Sequence, residues 1–396
     1  MSVDIITRKH VFFILTLFGV YYVMSSSLTI NGANAPVMMA HYAITAAQQG
    51  LIMTMLSVGR LGGGIYFGLR GERYNKINAL LFGMIILCLT NFAIGFSPVY
   101  TLLLVIAFVS GVGVACLDIM VNSVVSDVYP KHKRTFLSFI NAFFSVGALL
   151  APVIVSLTAH PSAPSTFNRP FQVICVIAVI ILALVLINGK KVMPDTPYID
   201  MESRRKQASQ NPGEIFKTKI AWVFLVVGVL YFNFMFAIAV WLPSFAIQSK
   251  GVDFHTAEIM VTAFFAGMLP MRFLGPFLFK KLSPQFIFCV FGCASALCML
   301  AALFTTNTAA IFVLVFFCGF LQGFSVPLFV VMCTNAFPGR TASASSLLAI
   351  SGGTGSLLAP LWVGVISAYT GFLTPLIMAC AILIVAACLI QLTKKV

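Results

Sequence analysis

The sequence predicts an all-α membrane protein of about twelve spans, built as two pseudo-symmetric six-helix halves. Composition, the length of the apolar runs and an internal repeat carry that prediction. Sixty per cent of the 396 residues are hydrophobic and 9% are charged, against about 25% charged in soluble domains. A soluble fold of this size could not keep such a surface wetted. Runs such as 79–96, 101–118, 171–188 and 375–391 are close to the ~20 residues that cross a ~30 Å hydrocarbon layer as a helix. Helices satisfy their own backbone hydrogen bonds in lipid, whereas the alternating ten-residue segments of a membrane barrel are missing.

In chain order the spans fall near 11–33, 48–68, 77–96, 101–126, 136–158 and 169–188, then 220–246, 256–279, 285–304, 309–334, 342–368 and 372–392. The first apolar run continues past Asn31 without a small-residue cleavage site, so it reads as a span and not as a leader peptide. All but four of the 24 Lys and Arg residues lie in the two tails, the even-to-odd loops and the middle loop. This one-sided bias puts both termini in the cytoplasm of a cell (inner or plasma) membrane, facing anionic lipid. The net charge of +14 is therefore a topology signal and does not mark a nucleic-acid patch. The ten cysteines sit in apolar runs without metal-ligand spacing and read as packing residues. Neither a metal nor a cofactor is expected.

The most polar stretch, 189–219, is read as a cytoplasmic loop between halves 1–188 and 220–396. A search for duplication succeeds at an offset of 208 residues. Gly111 pairs with Gly319, Pro130 with Pro338, and Gly147-Ala-Leu-Leu-Ala-Pro152 with Gly355-Ser-Leu-Leu-Ala-Pro360. Pro36 answers Pro243 at 207, and Gly19 answers Gly228 at 209.

The loop between spans 2 and 3 reads Gly68-Leu-Arg-Gly-Glu72-Arg73-Tyr-Asn-Lys76. It resembles the signature that the major facilitator superfamily carries in that loop: a glycine, an acid and following bases. Glu72 replaces the more usual Asp, and the related loop after span 8, Gly275-Pro-Phe-Leu-Phe279-Lys280-Lys281, has lost the acid. The resemblance spans essentially the whole chain. It implies a monomeric secondary transporter of small solutes working by alternating access, with spans 1, 4, 7 and 10 lining a cavity. Gly68, Glu72, Arg73 and Lys76 would gate it.

Three charges lie deep in spans: Arg60 in span 2, Asp118 in span 4 and Arg272 in span 8. Burying a charge in a span costs several kcal/mol and marks function. Asp118 is the expected proton carrier and Asn122 lies one turn later on its face. Paired guanidinium groups suit a carboxylate or phosphate, with ion pairing to Asp118 or backbone as the structural alternative. The run Leu117-Asp118-x-x-x-Asn122, with Asn141 and Phe143-Phe144-Ser145-x-Gly147-Ala148, is similar to the fucose–glucose–hexose proton symporter branch. That branch, however, carries an acid in span 1, where Asn31 and Asn34 are the nearest polar groups here. Tyr22, Tyr231, Asn233 and Gln322 complete the candidate binding residues. Glu258, near the end of span 8, reads as interfacial.

The expected function is proton-coupled transport of a sugar or organic anion. The Gly-x-x-x-Ala-Pro elements of spans 5 and 11 leave drug or metabolite efflux as an alternative, although Ala107 stands where exporters carry an arginine. A non-transporting sensor is the alternative of another class. No Ser/His/Asp set, HExxH or phosphate loop supports an enzyme, and no nucleotide-binding domain supports an ATP-driven pump.

Overall fold

The computed structural model describes residues 8–70, 74–96, 99–129, 133–192, 212–278, 282–337 and 341–395. No β-strand forms among them, and twelve spans are long and apolar enough to cross a membrane. The side chains they turn outward include Phe96, Leu157 and Val176, each more than 60% exposed. Only a hydrocarbon environment makes such a surface stable. The protein is an integral, multi-pass membrane protein.

The chain divides into two compact units, Met1–Ile44 with Leu51–Ile199 and Thr45–Gly50 with Asp200–Val396. Unit 1 contains α1 (Arg8–Ala33), α2 (Ala35–Tyr42), most of α3 (Ala46–Arg70), α4 (Lys76–Ile94), α5 (Tyr100–Val128), α6 (Lys133–Thr158) and α7 (Arg169–Val192). Unit 2 contains α8 (Lys219–Lys250), α9 (Phe254–Leu278), α10 (Pro284–Phe304), α11 (Thr308–Gln322), α12 (Ser325–Ala336), α13 (Thr341–Thr370) and α14 (Leu373–Leu389). Helix starts are set by side chains that take orphan amide protons. Asn75 accepts from the Ile77 and Asn78 amides, and Ser283 and Asn307 serve α10 and α11 in the same way. Gly251 ends α8 in the left-handed conformation (φ 66°), which glycine adopts without strain.

Packing repeats between the units. In unit 1, α1 lies on α6 and α7, and α4 lies on α5 and α7; in unit 2, α8 lies on α13 and α14, and α10 on α11 and α14. The second and fourth spans cross through facing glycines in both cases. A Cβ on Gly59 would collide with the Phe108 carbonyl and one on Gly111 with that of Leu56; 208 residues on, Gly267 meets Phe316 and Gly319 meets Phe264 in the same way. Backbone-to-backbone contact of this kind is available only to helices that lack a side chain at the crossing.

One predicted span is not a single helix: the tenth, 309–334, breaks between Gln322 and Ser325 into α11 and α12, whereas the first, 11–33, lies within α1 and is followed after Asn34 by α2. A break is tolerated at membrane depth where the freed backbone groups are buried in protein. The Gln322 carbonyl is one such group, and it accepts from the Tyr231 hydroxyl at 3.5 Å.

Candidate functional site

The glycine crossing of α3 and α5 fixes the best-defined polar site, in the middle of unit 1. Gly111 brings α5 against the Arg60 segment of α3, and Asp118 follows two turns later. Tyr21 of α1 donates its hydroxyl to Asp118 Oδ1 at 2.7 Å. The Asn122 side-chain amide donates to the Tyr21 hydroxyl (2.7 Å), to Asp118 Oδ1 (3.2 Å) and to the Asp118 carbonyl (2.7 Å). Arg60 faces the other carboxylate oxygen, Nη2 to Oδ2 at 3.8 Å, beyond hydrogen-bond length. The carboxylate is thus clamped on one oxygen and held only by ion pairing on the other. Side-chain exposures of 24% for Arg60 and 38% for Asp118 leave that second face open.

The sequence named Tyr22 and missed Tyr21. Tyr21 is 2% exposed and points into the bundle, whereas Tyr22, one residue on, is half-buried and bonds Ser26. Replacing Tyr21 by Phe removes the short bond to the carboxylate and one of the acceptors of the Asn122 amide. A loss of about 1.5–3 kcal/mol is expected for a hydrogen bond to a charged group, read as a lower melting temperature that Tyr22→Phe does not share. Asn31, ten residues or about 15 Å along α1, is buried and donates to the Ser27 carbonyl at 3.0 Å. Asn141 of α6 is exposed, and its carbonyl accepts from Ser145.

Unit 2 holds a second polar cluster around the broken span. Tyr231 bonds Ser325 and the Gln322 carbonyl, and lies within electrostatic reach of Arg272 of α9. The Gln322 amide donates to Ser295 Oγ at 2.9 Å, and Ser295 in turn to the Cys318 carbonyl. A tyrosine of the first span, an arginine of the second and polar residues of the fourth therefore recur in each half. At the same 208-residue offset Asp118 is answered by Val326, so the acid itself does not recur in unit 2. Asn233 points elsewhere: two residues from Tyr231 is about 200° around a helix, and its side-chain oxygen accepts from Trp362 Nε1 at 3.1 Å. Ser295 and Trp362 were not nominated from the sequence. Gly68 lies in the last turn of α3 and Lys76 begins α4, while Glu72 and Arg73 lie outside the described residues.

Glu258 qualifies an expectation: it lies near the end of its span, one turn inside the start of α9, but is fully buried in unit 2. A separate cavity of about 540 Å³ opens between α3, α4 and α5, lined by Tyr66, Phe67, Phe82 and Phe108. It contains none of the nominated binding residues.

Twelve apolar spans in two repeated units, each with a polar cluster among its helices, define a polytopic membrane protein of transporter architecture. A family model described as Major Facilitator Superfamily matches residues 14–360, with a second match over 248–395. The chain belongs to that superfamily. It is 21% identical over 341 residues to the cis,cis-muconate transport protein of Acinetobacter baylyi (strain ATCC 33305 / BD413 / ADP1), covering 82% of this chain and 80% of the relative. It is 23% identical over 273 residues to the hexuronate transporter of Bacillus subtilis (strain 168), covering 66% and 62%. The crystal structure of a bacterial homolog to the human lysosomal transporter Spinster, in an unoccupied conformation, superposes with a TM-score of 0.83 at 15% identity over 98% of both chains.

Proposed function

We propose that this transporter moves a small organic anion together with a proton, using Asp118 as proton carrier and Arg60 as anion ligand. The uneven service of the Asp118 carboxylate carries this reading. Oδ1 is fixed by Tyr21 and Asn122, while Oδ2 faces Arg60 through an ion pair too long for a hydrogen bond. A proton on Oδ2 cancels the charge that holds Arg60, and the guanidinium is then free to take a solute carboxylate as a two-pronged ligand. Proton and anion binding become mutually favourable, which is the linkage that symport requires. In unit 2, Arg272 and Tyr231 supply a second cation and hydroxyl, with Gln322 beside them. Names of two relatives, a muconate and a hexuronate carrier, support an organic anion.

The one-sided basic loops support cytoplasmic termini in a plasma or inner membrane, with anionic lipid on that face. The Gly68–Lys76 segment is the proposed gate, and a monomer is the proposed working unit. A neutral sugar is the second reading, favoured by the Tyr21 hydroxyl and Asn122 amide, both of which can bond sugar hydroxyls. A thermal-shift screen across cis,cis-muconate, hexuronates, neutral hexoses, amino acids and lipophilic cations separates the two. Carboxylates should stabilise the protein, and Arg60→Gln should weaken their binding about tenfold or more. Stabilisation by neutral hexoses that Arg60→Gln leaves unchanged would overturn the anion reading.

A further inference from the structure

Unit 2 contains an acid that the proposed site does not use. Glu258 is 0% exposed, and neither carboxyl oxygen has a hydrogen-bond partner. Its surroundings follow from the short connection Gly251–Asp253, which makes α8 and α9 an antiparallel hairpin. Counting from the hairpin end at 1.5 Å per residue, Glu258 lies about 6 Å in, Ser244 about 9 Å and Trp241 about 13 Å. The Ser244 hydroxyl and the Trp241 indole N–H are also buried without partners. Two unused donors and an unused carboxyl group therefore lie within about three turns of the connection of one hairpin.

Charged and titratable neighbours are few. From α8 only Lys250 faces this end, and its amine donates to the Thr305 carbonyl at 2.9 Å. The facing helix α11 has Cys318 as its single titratable side chain, engaged with Ser295 deeper in the bundle. The chain around Glu258 itself adds exposed Asp253, whose carboxylate caps the Thr256 amide, and His255. Arg272 is on the same face of α9 but about 21 Å further along, beyond buried Val261, Phe265 and Met268.

An ionised carboxylate in such a place is strongly disfavoured, and even the neutral acid loses about 1–3 kcal/mol per unmade hydrogen bond. Leucine or methionine would fill the volume at no such cost. Glu258 holds nothing together in this conformation, so its use lies in another. We infer that Glu258 is a second proton-binding site, which takes a proton from water when the hairpin end opens and carries it, as the neutral acid, in the buried position described here. The bond formed is carboxylate oxygen to proton, and release returns that proton to water. The inference rests on the proton-coupled reading above but not on Asp118.

Infrared titration of the full chain in phospholipid vesicles tests it, following the carbonyl stretch of protonated carboxyl groups. A band at the high frequency of an acid without hydrogen bonds is expected in the wild type and in Asp118→Asn. It should be absent from Glu258→Gln, and should fade as the vesicles are made alkaline. Glu258→Met serves if the buried Gln amide prevents folding. A wild type without that band overturns the proposal, as does a band that persists unchanged across the whole titration or one that survives in Glu258→Gln or Glu258→Met. A sodium-dependent rise in melting temperature, lost in Glu258→Gln and without the band, would likewise overturn it in favour of a metal cation. Failure of the Asp118 reading would show separately, as Asp118→Asn vesicles that still accumulate solute.

Discussion

Vesicles carrying the Asp118→Asn variant are expected to exchange labelled solute across the membrane and yet fail to accumulate it against a gradient. A pH difference of one unit is worth about 1.4 kcal/mol per proton. One proton moving with one solute in a neutral complex therefore sustains about tenfold accumulation. Asparagine has the shape of the protonated acid and can take the bonds from Tyr21 and Asn122 on its carbonyl oxygen. It can never present the charge that recaptures Arg60. The carrier is then fixed in its loaded form, able to bind anion and cycle, but blind to the proton. Accumulation should fall to the level of simple equilibration, and counterflow should stay within a few-fold of wild type. Accumulation that persists at the wild-type level would remove Asp118 from the coupling role. Loss of counterflow together with accumulation would instead show that the carboxylate is needed to bind the solute.

How much of this was legible in the sequence depended on what each residue has to do. Membrane spans are readable because hydrocarbon allows few exceptions: Ala79 to Phe96 has no alternative to a helix once it enters lipid. The fold was readable too, since two halves in register, Gly147 against Gly355, repeat one packing solution. Arg60, Asp118 and Asn122 were found because charges and amides stand out in apolar runs. Tyr21 was not. In α1 the buried stripe Phe13, Leu17, Tyr21, Met24, Leu28 has helical spacing. The outward face of that helix is equally apolar, however, so periodicity gives no phase and Tyr22 looked just as eligible. Glu258 was legible only in part, for a related reason. Its distance from the helix start was correct, but lateral burial depends on which face of α9 meets its neighbours, and nothing in a uniformly apolar run records that. Gly19 and Gly228 show the limit of the repeat itself. They correspond in sequence, yet the first packs against Ile181 of α7 and the second against Ser351 of α13, the partner of α8 equivalent to α6.

The glycine crossing that holds Arg60 beside Asp118 gives the largest expected effect on stability. Adding one methyl group in Gly111→Ala would drive a Cβ into the Leu56 carbonyl and place it 2.7 Å from the Arg60 amide nitrogen. Both obstacles are backbone, so no side chain can rotate away and the two helices must separate. Overpacking of this kind costs typically 1–3 kcal/mol and more where backbone must move. The expectation is a loss of about 3 kcal/mol or more, seen as a large fall in the fraction of folded, monodisperse protein recovered in detergent. Gly319→Ala should do the same to unit 2, where its Cβ would meet the Phe264 carbonyl. Gly62 and Gly64 supply the control on the same helix as Arg60, because nothing lies within 4 Å of a Cβ at either position. Alanine there should be neutral or gain up to about 1 kcal/mol of helix propensity. Equal melting temperatures for Gly111→Ala and Gly62→Ala would mean that α3 and α5 do not cross as closely as described. The Arg60–Asp118 pair would then lose the contact that positions it.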